Sequence, residues 1–148
     1  MIRLGGVDFV VDPVDELGPA DAAWWTELAA ARGGAAPSRE APFRVEIAKE
    51  RWRPASDDRP AIPAGEAAQL DWSDADRSLS ITHDLFAGHV APFERRARVW
   101  RALPLGPGLR ATLRVALTAR LPLQGGLPLH AAGLALDGGA FAFFGPSG

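Results

Sequence analysis

The last residues of the chain have the types and order of a phosphate-binding loop. The tetrapeptide GPSG (145–148) directly follows the apolar run FAFF (141–144). A phosphate-binding loop has the form G-x-x-x-x-G-K-[ST] between a buried strand and a helix, because backbone N–H groups and the helix N-terminus must surround a polyphosphate. The tetrapeptide matches the first four positions of that form. The sequence therefore predicts four nucleotide-binding residues: Gly145, Pro146, Ser147 and Gly148.

The second half of such a loop lies beyond the sequence. It would supply the lysine that reaches the β- and γ-phosphates and the hydroxyl that binds Mg²⁺. Lys49 is the only lysine of the chain and lies far upstream of the loop. We therefore expect the chain to be the N-terminal part of a longer protein, cut within the loop, inactive as it stands and unable to bind ATP well. Because G-P-S-G is also an ordinary turn, the four residues alone are a weak signal.

The segments before the tetrapeptide predict the elements that position it. A leucine at every fourth position, with arginines between, predicts an amphipathic helix over about 107–121, and Pro122 ends it. Two apolar runs, 127–136 and 140–144, flank Asp137-Gly138-Gly139 and predict a buried β-hairpin, because Asp-Gly favours tight hairpin turns. The leucines of the helix are Leu105, Leu109, Leu113, Leu117 and Leu121.

The first hundred residues are predicted to be mainly β-structure. Alternating or β-branched runs bounded by turn residues indicate short strands, and one segment, 19–32, has helix formers followed by Gly33-Gly34. We thus predict an α+β or α/β fold: a mainly β region over 1–104 with one helix, and a second domain that begins at 105–148. The predicted strands are 7–11, 43–47, 68–72, 78–83, 85–90 and 96–101.

The run GGLPLHAAGLALDGGAFAFFGPSG (125–148) resembles the segment that leads into the P-loop of HPr-kinase/phosphorylase-like serine kinases. Those proteins have a helix, a Gly-rich turn, a strand that opens with His and small residues, a Gly turn, an apolar strand and then G-x-S-G-x-G-K-S/T. The resemblance covers about 105–148, roughly a third of the chain. It implies a nucleotide-binding core with the fold of phosphoenolpyruvate carboxykinase.

The resemblance also implies an activity. In the complete family, ATP and Mg²⁺ are the cofactors, and the γ-phosphoryl group passes to a serine of a protein or a small-molecule acceptor. His130 matches the histidine at the head of the first strand, near the phosphate site, and is the candidate catalytic residue. From the residues alone, His130 is equally well explained as a partly buried histidine that is hydrogen-bonded to a backbone carbonyl.

Two other functions remain open. A G-P-S-G tetrapeptide after an apolar strand also occurs in ABC-type ATPases, although those domains reach their P-loop much earlier in the chain. The mainly β region is also compatible with a non-catalytic module that binds a partner, with the C-terminal end as a remnant. We expect a nucleotide and an acceptor as partners and consider a homo-oligomer, and we expect neither nucleic acid nor membrane.

Composition narrows the classes of site. The chain has no cysteine, so disulfides and thiolate metal sites are excluded, and its N-terminus lacks a signal peptide; we expect a cytoplasmic protein. We predict no metal site, because the acids at 71–76 do not fit a calcium loop and His83 and His89 lack zinc-pair spacing.

Four arginines are close in sequence to Trp100: Arg95, Arg96, Arg98 and Arg101. They are too few for nucleic acid without a recognition motif, so we expect them to be solvated or to contact an acidic partner.

Overall fold

The residues that the structure describes form a mixed α+β structure. They make up two α-helices, one seven-stranded mixed sheet and a separate two-stranded hairpin. The predicted α+β class is thus confirmed. The computed structural model describes the residues 1–13, 17–30, 40–51, 68–83, 86–101, 106–126, 132–136 and 139–143.

The N-terminal half of the sheet contains a hairpin and a parallel crossover. Strands β1 (Ile2–Leu4) and β2 (Val7–Asp12) are antiparallel and are joined by Gly5-Gly6, whose φ angles of 53° and 84° suit glycine. Helix α1 (Pro19–Ala30) then leads to β3 (Phe43–Arg51), which pairs parallel to β2. A β–α–β unit of this kind needs a crossover helix, and α1 supplies it.

The other half of the sheet is an antiparallel meander. Its strands are β4 (Gln69–Ser73), β5 (Ser78–His83), β6 (Phe86–Ala91) and β7 (Arg96–Arg101). The last strand, β7, pairs parallel to β3, so the order across the sheet is β1-β2-β3-β7-β6-β5-β4. All six strands predicted for this region are present, and β1 is an additional one.

Helix α2 (Gly106–Arg120) follows and is succeeded by a 3₁₀ helix, Leu121–Gln124. The bounds of α2 agree with those of the helix predicted over 107–121. Pro122 starts the tighter turn, and Gly125 ends it with a left-handed φ of 76° while the N–H of Gly126 donates to the Leu121 carbonyl at 2.9 Å.

One face of the sheet is apolar and is covered by both helices. Along β3, Val45 and Ile47 are buried while Arg44 and Glu46 are exposed, as the two-residue period of a strand requires. The buried positions form one core with side chains of both helices, among them Trp25, Leu109 and Leu113. The Arg110 guanidinium lies 4.8 Å from the centroid of the Trp24 ring, so α1 and α2 are neighbours on that face.

Two glycines permit the close contact between α2 and the sheet. A Cβ on Gly108 would lie 2.8 Å from the Cβ of Phe86 and 3.3 Å from Cγ2 of Val99. A Cβ on Gly88 of β6 would lie 2.7 Å from Oγ1 of the buried Thr112. The helix and the sheet therefore each contribute a position without a side chain.

An ionic cluster ties the segment before β3 to the end of α2. Oε2 of Glu40 accepts hydrogen bonds from Nη2 of Arg120 at 2.7 Å and from Nε2 of Gln124 at 2.8 Å, and Nη2 of Arg95 lies 3.2 Å away. The hydrogen bonds from Arg120 and Gln124 hold the pKa of the Glu40 carboxyl below its ordinary value. Arg120 itself is buried, so the cluster places a compensated charge against the core.

The contact of Gly108 gives a first prediction. Gly108→Ala should destabilise the fold by about 1–2 kcal/mol, because an overpacking cost of about 1–3 kcal/mol exceeds the helix-propensity gain of at most about 1 kcal/mol. Urea denaturation measures the change. Thr118→Ala is the control, since it raises helix propensity at an exposed position of α2 without adding volume; equal stability of the two variants would contradict the packing argument.

The Glu40 cluster gives a second prediction, on pH dependence. Because the pKa of Glu40 is lowered from 4.5, its ionised form stabilises the fold above that pH, and this contribution is lost as the pH falls through the depressed pKa. Glu40→Gln should therefore lower the free energy of unfolding at neutral pH, and the difference from wild type should vanish in acid. Chemical denaturation over a pH series tests this, with Glu27→Gln, at an exposed position of α1, controlling for the loss of one charge. A constant difference at all pH values would refute the role of Glu40.

Candidate functional site

The hairpin that leads to the predicted loop has the register expected of it. Strands β8 (Ala132–Leu136) and β9 (Gly139–Phe143) are antiparallel and pair from Ala132↔Phe143 to Leu136↔Gly139. The prediction of a β-hairpin from the apolar runs 127–136 and 140–144 is thus confirmed. The chain enters β8 and leaves β9 at the same end of the hairpin.

The predicted nucleotide-binding residues lie outside the residues that the structure describes, and so does His130. Their proposed roles therefore stay predictions. They are His130, Gly145, Pro146, Ser147 and Gly148.

Within the described residues, the side chains best arranged for binding lie on the polar face of the seven-stranded sheet. Six successive Cα partners cross that face from β2 to β4 and form a continuous row. The row, which we call the polar row, is Asp12, Glu46, Arg98, His89, Ser80 and Asp71. Because directly opposed residues on paired strands are close enough to interact, each side chain of the polar row is a neighbour of the next one.

A groove of about 470 Å³ lies on this face over β3, β7 and β6. We call it the basic groove, because three arginines line it against one acid. Arg44 and Arg96 are direct partners in the parallel β3–β7 pair, and Arg98 follows Arg96 on the same face of β7. The lining is formed by Arg44, Glu46, His89, Arg96, Ala97, Arg98 and Trp100.

Each arginine of the basic groove has a carboxylate neighbour at its rim. Arg44 pairs with Asp12 at 3.1 Å, and Arg96 pairs with Glu94 at 2.6 Å. Nη2 of Arg98 is 3.3 Å from Oε1 of Glu46. All of these side chains are substantially exposed, so each pair is worth about 0–1 kcal/mol.

Arg98 has one donor that the described residues do not satisfy. Its Nε is buried and has no hydrogen-bond partner among them. The guanidinium carbon lies 5.6 Å from the centroid of the Trp100 ring, within the range of a cation–π contact. An unpaired buried N–H is energetically costly. A rotation of the Arg98 side chain that brings Nε to an acceptor would therefore be favourable.

His89 closes the groove on the β6 side. Its Nε2 lies 2.8 Å from Oγ of Ser78 and 3.8 Å from Oδ2 of Asp76. Hydrogen bonds from Ser73 and Ser78 hold the pKa of Asp76 below its ordinary value, so that carboxylate is an anion beside the imidazole.

The residues weighed as metal ligands are separated. His83 stacks on Phe86 with ring centroids 4.8 Å apart, while His89 lies beside Ser78, toward the other end of the same β5–β6 pair. Asp74 accepts a hydrogen bond from the Trp72 indole at 2.7 Å and belongs to the β4–β5 turn. Among the described ranges, no three His, Cys, Asp or Glu side chains lie together in a way that could hold a metal ion.

The composition of the basic groove suits binding of an anion. The lining contains no serine, cysteine or lysine that could act as a nucleophile. Guanidinium groups keep their charge at all physiological pH values and present paired donors to oxyanions.

The sequence alone identified only part of this groove. Arg96 and Arg98 belong to the arginine group noted beside Trp100, whereas Arg44 and His89 were not connected with it. Arg44 joins them only through the parallel pairing of β3 with β7. The usable signal was the alternation of charged residues in 43–47 and 96–101, which indicates two strands that each have a polar face.

Comparisons with protein families, with curated proteins and with solved structures found no match. In the described part of the chain, no helix has the length and apolar character needed to cross a membrane.

Proposed function

We propose that the chain is the N-terminal part of an HPr-kinase-like, ATP-dependent serine kinase, and that residues 145–148 begin its phosphate-binding loop. The observation that supports this most is the β8–β9 hairpin, because it provides the strand that must precede such a loop. Helix α2 before the hairpin supports the same order of elements. The proposal includes a core with the fold of phosphoenolpyruvate carboxykinase and a cytoplasmic location.

The pairing of the hairpin supports a shared site for His130 and the loop. Ala132 pairs with Phe143, and along the chain His130 is two residues before Ala132 while Gly145 is two residues after Phe143. In the proposal, His130 serves the phosphate site, as the family resemblance implies. There an imidazole can donate a hydrogen bond to a phosphoryl oxygen or accept a proton near it.

The chain's own contribution to ATP binding would come from its backbone. The N–H groups of residues 145–148 would surround the phosphates, as glycine allows the backbone to approach closely. Mg²⁺ would supply neutralisation of phosphate charge, and the lysine and hydroxyl of the motif would follow Gly148 in the full-length protein. The acceptor would be a serine of a protein or a small molecule.

A second candidate is a binding module without catalysis. The basic groove favours it, because three arginines line one groove on the polar face. The two candidates are compatible in one longer protein, where the sheet would bind a partner and the loop would bind nucleotide.

The reading frame beyond Gly148 separates these proposals first. A continuation of Ala or Ile and then Gly-Lys-Ser/Thr, followed by a strand with paired acids, is expected for the kinase. A later L-S-G-G-Q would instead assign an ABC-type ATPase. A stop codon directly after Gly148 would overturn the kinase and leave the binding module.

Calorimetric titration with Mg-ATP provides the third prediction. The protein extended by its natural continuation should bind with a dissociation constant below about 1 mM, whereas the 148-residue chain should show no saturable binding at that concentration. Gly145→Val in the extended protein should abolish binding, because a branched side chain blocks the approach of phosphate to the backbone. Gly18→Ala is the control and should bind normally. Tight binding by the 148-residue chain, or none by the extended protein, would contradict the proposal.

A further inference from the structure

The three arginines of the basic groove are close enough together to bind the same anionic group of a ligand. Arg44 and Arg96 face each other directly across the β3–β7 pair. Opposed residues on paired strands have Cβ atoms about 5 Å apart, and residues two positions apart on one strand share a face. Arg98 is two positions after Arg96 on β7, so the side chains of the three arginines are neighbours on the same face of the sheet.

The carboxylates that now pair with these arginines are replaceable. Arg44 is 66% exposed and Arg96 is 68% exposed, and their partners Asp12 and Glu94 are more than half exposed. Solvent screening keeps such pairs weak.

Arg98 has two exposed carboxylate neighbours, Glu46 at 3.3 Å and Glu50 at 3.7 Å. A ligand that offers several oxygens to all three guanidiniums at once would therefore compete with four separate carboxylates.

Arg98 has a hydrogen-bond donor that such a ligand could satisfy. Its buried Nε–H lacks an acceptor among the described residues, and its Nη2 is only 3.3 Å from Glu46. If the guanidinium turns from Glu46 toward Arg96, its Nε and Nη2 edge can donate two parallel hydrogen bonds to one oxyanion. The ligand would then accept a hydrogen bond from the donor that has no acceptor among the described residues.

The number and shape of the donors indicate the class of ligand. Three fork-shaped cations suit a doubly charged group with three equivalent oxygens, which a phosphate monoester presents and a single carboxylate does not. Trp100, at the next outward position of β7, offers a ring against which the ester substituent can pack. Glu46 is the direct Cα partner of Arg98 and lines the same groove, so the ligand needs the Arg98 guanidinium to turn from Glu46 toward Arg96.

We propose that the basic groove binds a phosphate monoester through Arg44, Arg96 and Arg98. This site is separate from the predicted nucleotide loop, and its geometry rests only on described residues. It therefore stands whether or not the chain is part of a kinase.

The Nε–H resonance of Arg98 provides the test. The 148-residue protein is titrated at constant ionic strength with inorganic phosphate, O-phosphoserine or succinate, and ¹H–¹⁵N spectra are recorded. We expect phosphate and O-phosphoserine to shift the Arg98 Nε–H resonance saturably, since this donor gains an acceptor. Succinate should bind more weakly, because each of its carboxylates carries one charge.

Three substitutions make the test specific. Arg44→Gln, Arg96→Gln and Arg98→Gln should each raise the dissociation constant for O-phosphoserine about tenfold, as expected for the loss of a hydrogen bond to a charged group. Arg114→Gln removes the same charge at an exposed position of α2 and should leave the constant unchanged. Retained chemical-shift dispersion confirms that each variant is folded. Arg44→Gln and Arg96→Gln are the safest, because these side chains are 66% and 68% exposed, against 42% for Arg98.

Shifts that stay linear in ligand concentration, or that chloride reproduces at equal ionic strength, would overturn the proposal. So would equal affinity of Arg44→Gln and Arg114→Gln for O-phosphoserine. Tighter binding of succinate than of phosphate would overturn the assignment to a phosphate monoester.

Discussion

Helix α2 approaches strands β6 and β7 so closely that glycine is needed on both sides of the contact. Gly108 lies over Phe86 and Val99, and Gly88 lies under Thr112. Interiors are packed densely enough that one added methyl group is felt, so this contact fixes how α2 lies on the sheet. The first turn of α1 is held to the same region, because the buried carboxylate of Asp21 lies against Gly106 at the start of α2. A carboxylate is favourable there, since helix N-termini carry partial positive charge.

Helices α1 and α2 occupy one face of the sheet, and the described residues on the other face are largely polar. The two-residue period of the strands then decides which side chains it presents, and it brings residues from distant parts of the sequence together. Arg44 and Arg96 are neighbours only because β3 and β7 pair parallel across the intervening meander. The basic groove is thus a consequence of topology and not of a local motif.

Local patterns were sufficient to predict most elements of the fold. The leucine period fixed α2 almost to the residue, and alternation identified β3 and β7. Strand β1 was not predicted, because a three-residue strand is too short for alternation to be recognised, although Gly5-Gly6 marks the hairpin turn. The boundary placed at residue 104 stays a prediction, and α2 beyond it packs on the sheet formed before it.

The order of the strands could not be predicted in the same way. Pairing between β3 and β7 depends on tertiary contacts between segments far apart in sequence, and propensity carries no information about them. The same limit explains why Arg96 and Arg98 were recognised as a charged group while Arg44 and His89 were not. Each of the latter two has an unremarkable local sequence, and its partners become visible only in the register of the sheet.

The predicted loop and the basic groove would both bind oxyanions, but by different physical means. The loop would use backbone N–H groups, whose arrangement requires a complete glycine-rich turn and the lysine that follows it in the motif. The groove uses guanidinium groups on strands that are held by the helix-covered core, and all of its donors are within the described residues. Its geometry is therefore set by the α2 contact on the opposite face. Binding in the groove thus requires none of the residues of the predicted loop.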